Sequence, residues 1–372
     1  MNRSSFNSNL GARFCAAMIF LCGCTVVHAQ SSSRPDPLQQ TFTELAPGVW
    51  LGNRPDRTRL PVTPNTTFVI SEEGVVVFDG GNLPLVADRV IAKIRELTDK
   101  SVTHVIISHW HMDHVLGVSR YLAAYPTVQV IAHPYTRELI YRYLDQRAEE
   151  MRNTVSSNAP AIKKLLEERG DSLDPKTMAW FQDFLDSAEF LEAQYRNFEP
   201  AYPNITFGGE LRIHSGDREI QILHPGTGNT PGDLILWLPQ EKILASGDIV
   251  VWPTPYGHGG RPREWAQTLR ALMALDFKML VPGHGEVQVD REYLELMAET
   301  LDSIATQMDA LVANGLTQEE ARAKLDLSAF ENRFTRGDVF LLDRFNEWFV
   351  APITDAAWLI ATGKDPEIVG SE

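Results

Sequence analysis

Cysteine is scarce in this 372-residue chain and confined to one end: all three, Cys15, Cys22 and Cys24, fall in the first 24 residues. Everything downstream lacks disulfide staples and thiolate ligands, so a metal there would have to be held by nitrogen and oxygen. Basic charge is also short, with 34 Lys and Arg against 49 Asp and Glu and a net charge of −15. Such a surface repels polyphosphates, which argues against nucleic acid as a partner. Internal repeats and glycine-rich phosphate-binding motifs are absent. Beyond the N-terminus no apolar run is long enough to span a bilayer.

The one extended apolar run is N-terminal. Arg3 and Arg13 form a basic region, Phe14 to Val27 an apolar core, and Val27-His28-Ala29 a small-residue cleavage site before Gln30. This is the pattern of an export signal over residues 1–29, and it predicts a periplasmic or secreted protein. Leu21-Cys22-Gly23-Cys24 admits a second reading, a lipoprotein box with a lipid anchor at Cys24. Cys22 is unusual at its place in such a box, and simple cleavage is preferred. Signal removal would leave 32 basic against 49 acidic side chains, a net charge of −17, and no cysteine. Residues 30–40, rich in Ser, Pro and Gln, read as a flexible tether.

The densest chemistry is His109-Trp110-His111-Met112-Asp113-His114, three imidazoles and a carboxylate in six residues. Neutral imidazole and carboxylate are the donors that Zn²⁺ and related divalent ions select. The apolar run Thr103–Ser108 before it reads as a buried strand, and Val115–Leu122 after it as a helix. The cluster therefore falls at the C-terminal end of a strand, where α/β folds place their ligands. His109 and His111 alternate with Trp110 and Met112, so both can face one side of an extended loop.

Together with four other segments, this cluster resembles the metallo-β-lactamase superfamily over about residues 42–290. Gly74-Val75-Val76-Val77-Phe78-Asp79-Gly80-Gly81 matches the family's Asp at the end of a hydrophobic strand. His109 to His114 matches its His-x-His-x-Asp-His motif. Ile243-Leu244-Ala245-Ser246-Gly247-Asp248 matches its acidic ligand after a strand, and Leu280-Val281-Pro282-Gly283-His284-Gly285 its final His. The fifth segment departs: Gly228-Asn229-Thr230-Pro231-Gly232-Asp233 carries Asn229 where the family normally has His. Three readings stay open there. Asn229 coordinates weakly, directly or through water; His224 reaches in instead; or the first site is weak and the second does the work. Gly226, Gly228 and Gly232 keep the turn's backbone shape.

The resemblance implies a four-layer αββα sandwich with the metal site at one edge between the sheets. It implies one or two zinc ions. His109 and His111 suit a first site; Asp113, His114 and His284 suit a second; Asp248 can bridge them. Asp79 need not touch metal, and would hold a ligand imidazole or a loop amide. Asp113 would also orient a zinc-activated hydroxide and return its proton to the leaving group. His133, before Pro134, supports either the site or the fold. Tyr256 and His258, on the loop after Asp248, are candidates for substrate contact; a Pro-stiffened connector is the plainer reading. His28, His104 and His214 get no role.

Between the halves, residues 134–200 read as an insertion of two or three helices. It is either a scaffold or dimer element, or a cap walling the cleft with Tyr141, Tyr143, Trp180 and Phe181. The catalytic domain would then occupy residues 41–290, with a helical extension at 291–372. The expected function is that of an exported zinc-dependent hydrolase, β-lactamase-like or glyoxalase II-like. It would act on a small molecule through an acyl carbon in an ester, thioester, lactone or β-lactam amide. Two rival classes remain, an iron-dependent redox member of the same superfamily and a metal-binding protein with a degraded, non-catalytic site.

Overall fold

The computed structural model describes residues 36–54 and 62–366. The export signal, the Cys24 anchor and most of the tether lie outside the described residues. From Pro37 onward the chain forms one compact unit.

Seven strands make the first sheet: β1 (Thr41–Ala46), β2 (Val49–Asn53), β3 (Thr66–Ile70), β4 (Val75–Phe78), β5 (Val102–Ile106), β6 (Gln129–Ala132) and β7 (Ile205–Thr206), side by side in chain order. Pairing is antiparallel from β1 to β4 and parallel from β4 to β7. The second sheet orders β12 (Met279–Val281), β11 (Ile243–Ala245), β10 (Ile235–Leu238), β9 (Arg218–Leu223) and β8 (Glu210–Ser215). Only its β11–β12 pair is parallel.

The inner strands β4, β10 and β11 read as continuous apolar runs because both of their faces are covered. Alternation sorts the side chains. Val76 and Phe78 of β4 join Ile106, Ile131, Leu234, Leu236 and Leu238 in the core between the sheets. Val75 and Val77 point the other way, onto Val90, Ile91 and Ile94 of helix α1 (Pro84–Leu97) and Tyr121 of α2 (Val118–Ala124). Ile235 and Trp237 of β10 likewise turn outward, onto Trp265 and Leu269 of α7 (Pro262–Met273). The result is helix, sheet, sheet, helix, the sandwich expected from the resemblance. Each buried Val, Leu or Ile contributes roughly 1.5–3 kcal/mol, which makes the two-sheet scaffold stiff enough to carry loops at one edge.

The insertion is richer in helices than the sequence suggested. It contains four, α3 (Pro134–Arg152), α4 (Thr154–Arg169), α5 (Pro175–Asp186) and α6 (Ala188–Arg196). The breaks after Arg152 and Asp186 fall at Asn153 and Ser187, where neither Pro nor Gly interrupts the apolar periodicity, so the pattern runs on through them. The helix expected over Val115–Leu122 starts three residues late. Met112–His114 form a 3₁₀ turn and α2 begins only at Val118.

At the C-terminus α8 (Glu292–Ala313), α9 (Gln318–Lys324), α10 (Ser328–Thr335), α11 (Val339–Arg344) and α12 (Ala351–Ala361) join α7 over the outer face of the second sheet. A six-residue π-helix, Phe345–Val350, links α11 to α12. Among the described residues no helix is long and apolar enough to cross a membrane.

Candidate metal centre

Four strands end at one edge of the sandwich and each delivers an acidic or imidazole side chain there. Asp79 follows β4, the His109–His114 turn follows β5, Asp248 follows β11 and His284 follows β12. The two halves are joined at this edge by the Leu234 N–H donating to the Ser108 carbonyl at 2.8 Å.

Two donor groups form, with His114 in both: His109, His114 and Asp248, and Asp113, His114 and His284. His114 Nε2 lies 3.3 Å from Asp248 Oδ1 and 3.6 Å from Asp113 Oδ2. His284 Nε2 is 3.0 Å from Asp113 Oδ2 and 3.5 Å from Asp248 Oδ1. Asp248 Oδ2 stands 3.6 Å from His109 Nε2, so the carboxylate spans both groups. His111 lies beside them, its Nδ1 2.9 Å from His109 Nε2.

Each ligand candidate is held from behind. Asp79 has a left-handed backbone with φ of 68°, a conformation Asp tolerates better than most residues. Its Oδ1 accepts from the Ser108 N–H and its Oδ2 from His114 Nδ1, both at 2.8 Å. Ser108 Oγ in turn meets His109 Nδ1 at 2.9 Å. Asn65 donates from Nδ2 to the Pro282 and Gly285 carbonyls at 2.8 and 3.0 Å, pinning the turn that carries His284. At Gly283 any Cβ would overlap Asp248 Oδ1, so only glycine lets the two loops close on each other.

Burial and charge work against each other here. Burial, then the neighbouring imidazoles, hold the His109 pKa well below the usual histidine range. Burial outweighs Asp248 and Asp113 at His111 and brings it down to about 4. At His114 burial is overcome by Asp79, Asp248 and Asp113, and the pKa stands well above normal. His284 is raised too, because Asp248 and Asp113 outweigh its burial. Burial would raise Asp113, but His114, His284 and His111 hold its carboxyl below the usual range. The carboxylates thus create a negative well that draws a positive charge to the middle of the cluster.

The residues fit a divalent metal. His114 Nε2 and Asp248 Oδ1 are buried, face each other and have no hydrogen-bond partner. Leaving such atoms unpaired costs about 1–3 kcal/mol each, and a cation between them would satisfy both. The donor set is nitrogen and oxygen only, suited to zinc and its neighbours.

The two residues weighed for the remaining position differ. Asn229 is fully buried, its Nδ2 donates to the Tyr256 carbonyl at 2.5 Å, and its Oδ1 has no partner. His224 is engaged elsewhere: its Nδ1 meets the Asp233 carbonyl at 2.8 Å and its ring lies 4.5 Å from that of His133. It belongs to neither donor group. Tyr256 stands edge-on to His111 with centroids 5.5 Å apart, and His258 lies 4.9 Å from Tyr256.

A family model for the metallo-beta-lactamase superfamily matches residues 59–284. The chain belongs to that superfamily. A linear primary-alkylsulfatase of Pseudomonas sp. is 24% identical over 277 residues, 70% of this chain and 49% of the relative. A type 2 metallo-beta-lactamase of Bacillus cereus is 22% identical over 269 residues, 70% of this chain and 81% of the relative. Among solved structures, a stereoselective inverting sec-alkylsulfatase from Pseudomonas sp. superposes with a TM-score of 0.60 at 16% identity, covering 89% of this chain and 51% of that one. This chain thus spans about half the length of either alkylsulfatase. The superfamily chain's fold likeness to the latter extends past the matched family segment and takes in helices beyond it.

Sequence reasoning missed Ser108, Asn65 and Gly283, which hold the candidate ligands in place without offering a donor themselves. It also missed Tyr195 of α6, which burial and the nearby Asp113 carboxylate push up to about 12. Of the insertion aromatics it named, Tyr143 stacks on Trp110 at 4.5 Å and Tyr141 on Tyr202 at 4.1 Å, while Trp180 and Phe181 pack together at 5.1 Å.

Proposed function

We propose that this superfamily member is an exported, zinc-dependent hydrolase acting on an ester-type or amide bond of a small molecule. The observation carrying this reading is the pair of donor groups sharing His114, spanned by Asp248, with Asp113 partly open to solvent beside them. Zinc, when bound, supplies Lewis acidity and lowers the pKa of water to roughly 7.

The chain's own groups do the rest. Asp79 accepts from His114 Nδ1 and so leaves Nε2 as the donor atom facing the cluster. Asp113 presents one carboxylate oxygen to His284 Nε2; the other is available to take a proton from the attacking water and return it to the leaving group. Tyr256 and His258 stand on the His111 side of the cluster, where they would meet a substrate. The acyl substrates expected from the sequence are joined by alkyl sulfate esters, because a curated alkylsulfatase aligns with 70% of this chain.

The test is turnover by the zinc-loaded full chain on β-lactam, lactone, thioester and alkyl sulfate panels. Asp113→Ala should lower turnover on the accepted class by about 10²–10⁴-fold. Silence on every panel would sink the hydrolase reading, and an Asp113→Ala variant with full activity would sink the role given to Asp113. Iron rather than zinc in the purified protein would favour the redox alternative.

A further inference from the structure

The loop carrying Tyr256 is gripped by two segments that lie outside the His/Asp donor groups. From the C-terminal extension, the Trp348 carbonyl accepts from the Gly257 N–H at 2.7 Å. The Trp348 ring meets that of Tyr256 edge-on, with centroids 6.5 Å apart. The backbone of the extension lies flat against the loop: a Cβ at Gly257 would come within 2.7 Å of the Phe349 carbonyl oxygen. From the turn before β10, Asn229 donates to the Tyr256 carbonyl.

Trp348 sits on the π-helix Phe345–Val350. Single-turn π segments occur mostly inside α-helices and often at functional sites, because the wider turn re-aims side chains and carbonyls. Trp348 is itself braced. The ring of Trp180 from the insertion lies 5.8 Å away, and the buried Arg344 guanidinium stands 4.8 Å from Trp348 and 4.5 Å from Trp180. A desolvated guanidinium against two indole faces is a rigid arrangement. The insertion and the extension thus meet on Trp348, and Trp348 meets the loop.

We propose that Trp348 and Asn229 are positioning residues that clamp the 252–260 loop from two separate segments and so set Tyr256 against His111. Asn229, at the family's usual His position, is then a loop anchor. The inference rests on the reading of the His/Asp cluster as the hydrolytic site, because only there does Tyr256 face substrate.

Two measurements on the zinc-loaded full chain test it. Amide hydrogen exchange should rise about threefold or more across 252–260 in Trp348→Ala and in Asn229→Ala, while 109–114 stays protected. Loss of an edge-on ring pair or of one hydrogen bond should raise KM about three- to tenfold with kcat nearly held. Trp348→Phe, which restores a ring edge, should return KM to within about twofold of wild type. The double variant should be little worse than the poorer single one, because both act through one loop.

Unchanged loop exchange in both single variants overturns the proposal, as do KM effects that multiply. Should Trp348→Ala fail to fold, Trp348→Leu, which fills the space without a ring edge, takes its place in every comparison. A wild type with no turnover on any panel defeats the hydrolase reading instead, and loop exchange then decides the clamp alone.

Discussion

His114 Nδ1 lies 2.8 Å from Asp79 Oδ2, and Asp79's other oxygen accepts the Ser108 N–H. An ionised carboxylate can only accept, so Asp79 keeps a proton on His114 Nδ1, and it is the Nε2 proton, facing the cluster, that a binding metal would displace. Asp79 would therefore act on a bound metal through His114, without offering it an oxygen. Asp79→Asn keeps the size and tolerates the left-handed backbone, but its amide nitrogen cannot accept from His114. Metal affinity should fall about 10–100-fold while the thermal melting of the metal-free chain shifts little. Competition against a chelator measures the first and calorimetry the second. Unaltered affinity would mean that Asp79 only closes a turn.

Gly283 offers a test that touches no ligand. A methyl group there would collide with Asp248 Oδ1, the oxygen shared between His114 and His284. Gly283→Ala should displace that carboxylate, weaken metal binding at least as much as Asp79→Asn, and lower turnover in step. Its stability cost should stay near the 1–3 kcal/mol of local overpacking, because the strands behind it are unchanged. A crystal structure or metal titration showing Asp248 in place and fully liganded would refute this.

Much of the donor cluster was readable because its residues sit at strand ends with local signatures. His109, His111, Asp113 and His114 are neighbours in sequence, and Asp79, Asp248 and His284 each close an apolar run. The αββα layering came from the resemblance that these segments carry, and the apolar strands agree with it. What stayed hidden depends on contacts between distant segments. Asn65 reaches Pro282 and Gly285 across more than 200 residues. Tyr195 and Trp348 sit at helical spacing among other aromatics, where a residue walling a cleft and one filling a core look alike. The breaks at Asn153 and Ser187 were invisible because neither interrupts the apolar period.

The pKa shifts predict how pH and metal trade places. His114 and His284 are raised in the fold, so their protonation contributes stability that is fully present below the unfolded pKa of about 6.5. That stability is lost as pH rises through their folded values. His109 and His111 are lowered, so they add an opposing slope while the unfolded imidazoles shed their protons, and it fades within about one pH unit above 6.5. The metal-free chain should therefore lose stability from about pH 6.5 upward. A bound cation replaces those protons between the same carboxylates, so the loaded chain should hold steady. The gap in melting temperature between loaded and metal-free protein should widen with pH. A gap that narrows over this range would contradict the assigned signs.

The last prediction turns on Asn229, which sits where relatives with the usual pattern carry an imidazole. Its Nδ2 is spent on the Tyr256 carbonyl and its Oδ1 is buried with no partner. A neutral amide oxygen is a weak zinc ligand, so the wild type should hold one ion firmly and a second loosely. Asn229→His puts an imidazole at the turn where the family pattern has the third nitrogen of the first site. Metal bound at limiting supply should rise toward two per chain, with the looser ion tightened by about tenfold, the lower end of what even outer changes achieve. The same substitution loosens the anchor on Tyr256, so KM should rise while metal binding improves. These opposite movements separate a ligand effect from general damage, which would weaken both. His224→Ala is the control. With its Nδ1 on the Asp233 carbonyl and its ring against His133, it should leave metal content unchanged. If His224→Ala instead releases an ion, that side chain swings into the cluster when metal binds, and Asn229 is an anchor alone.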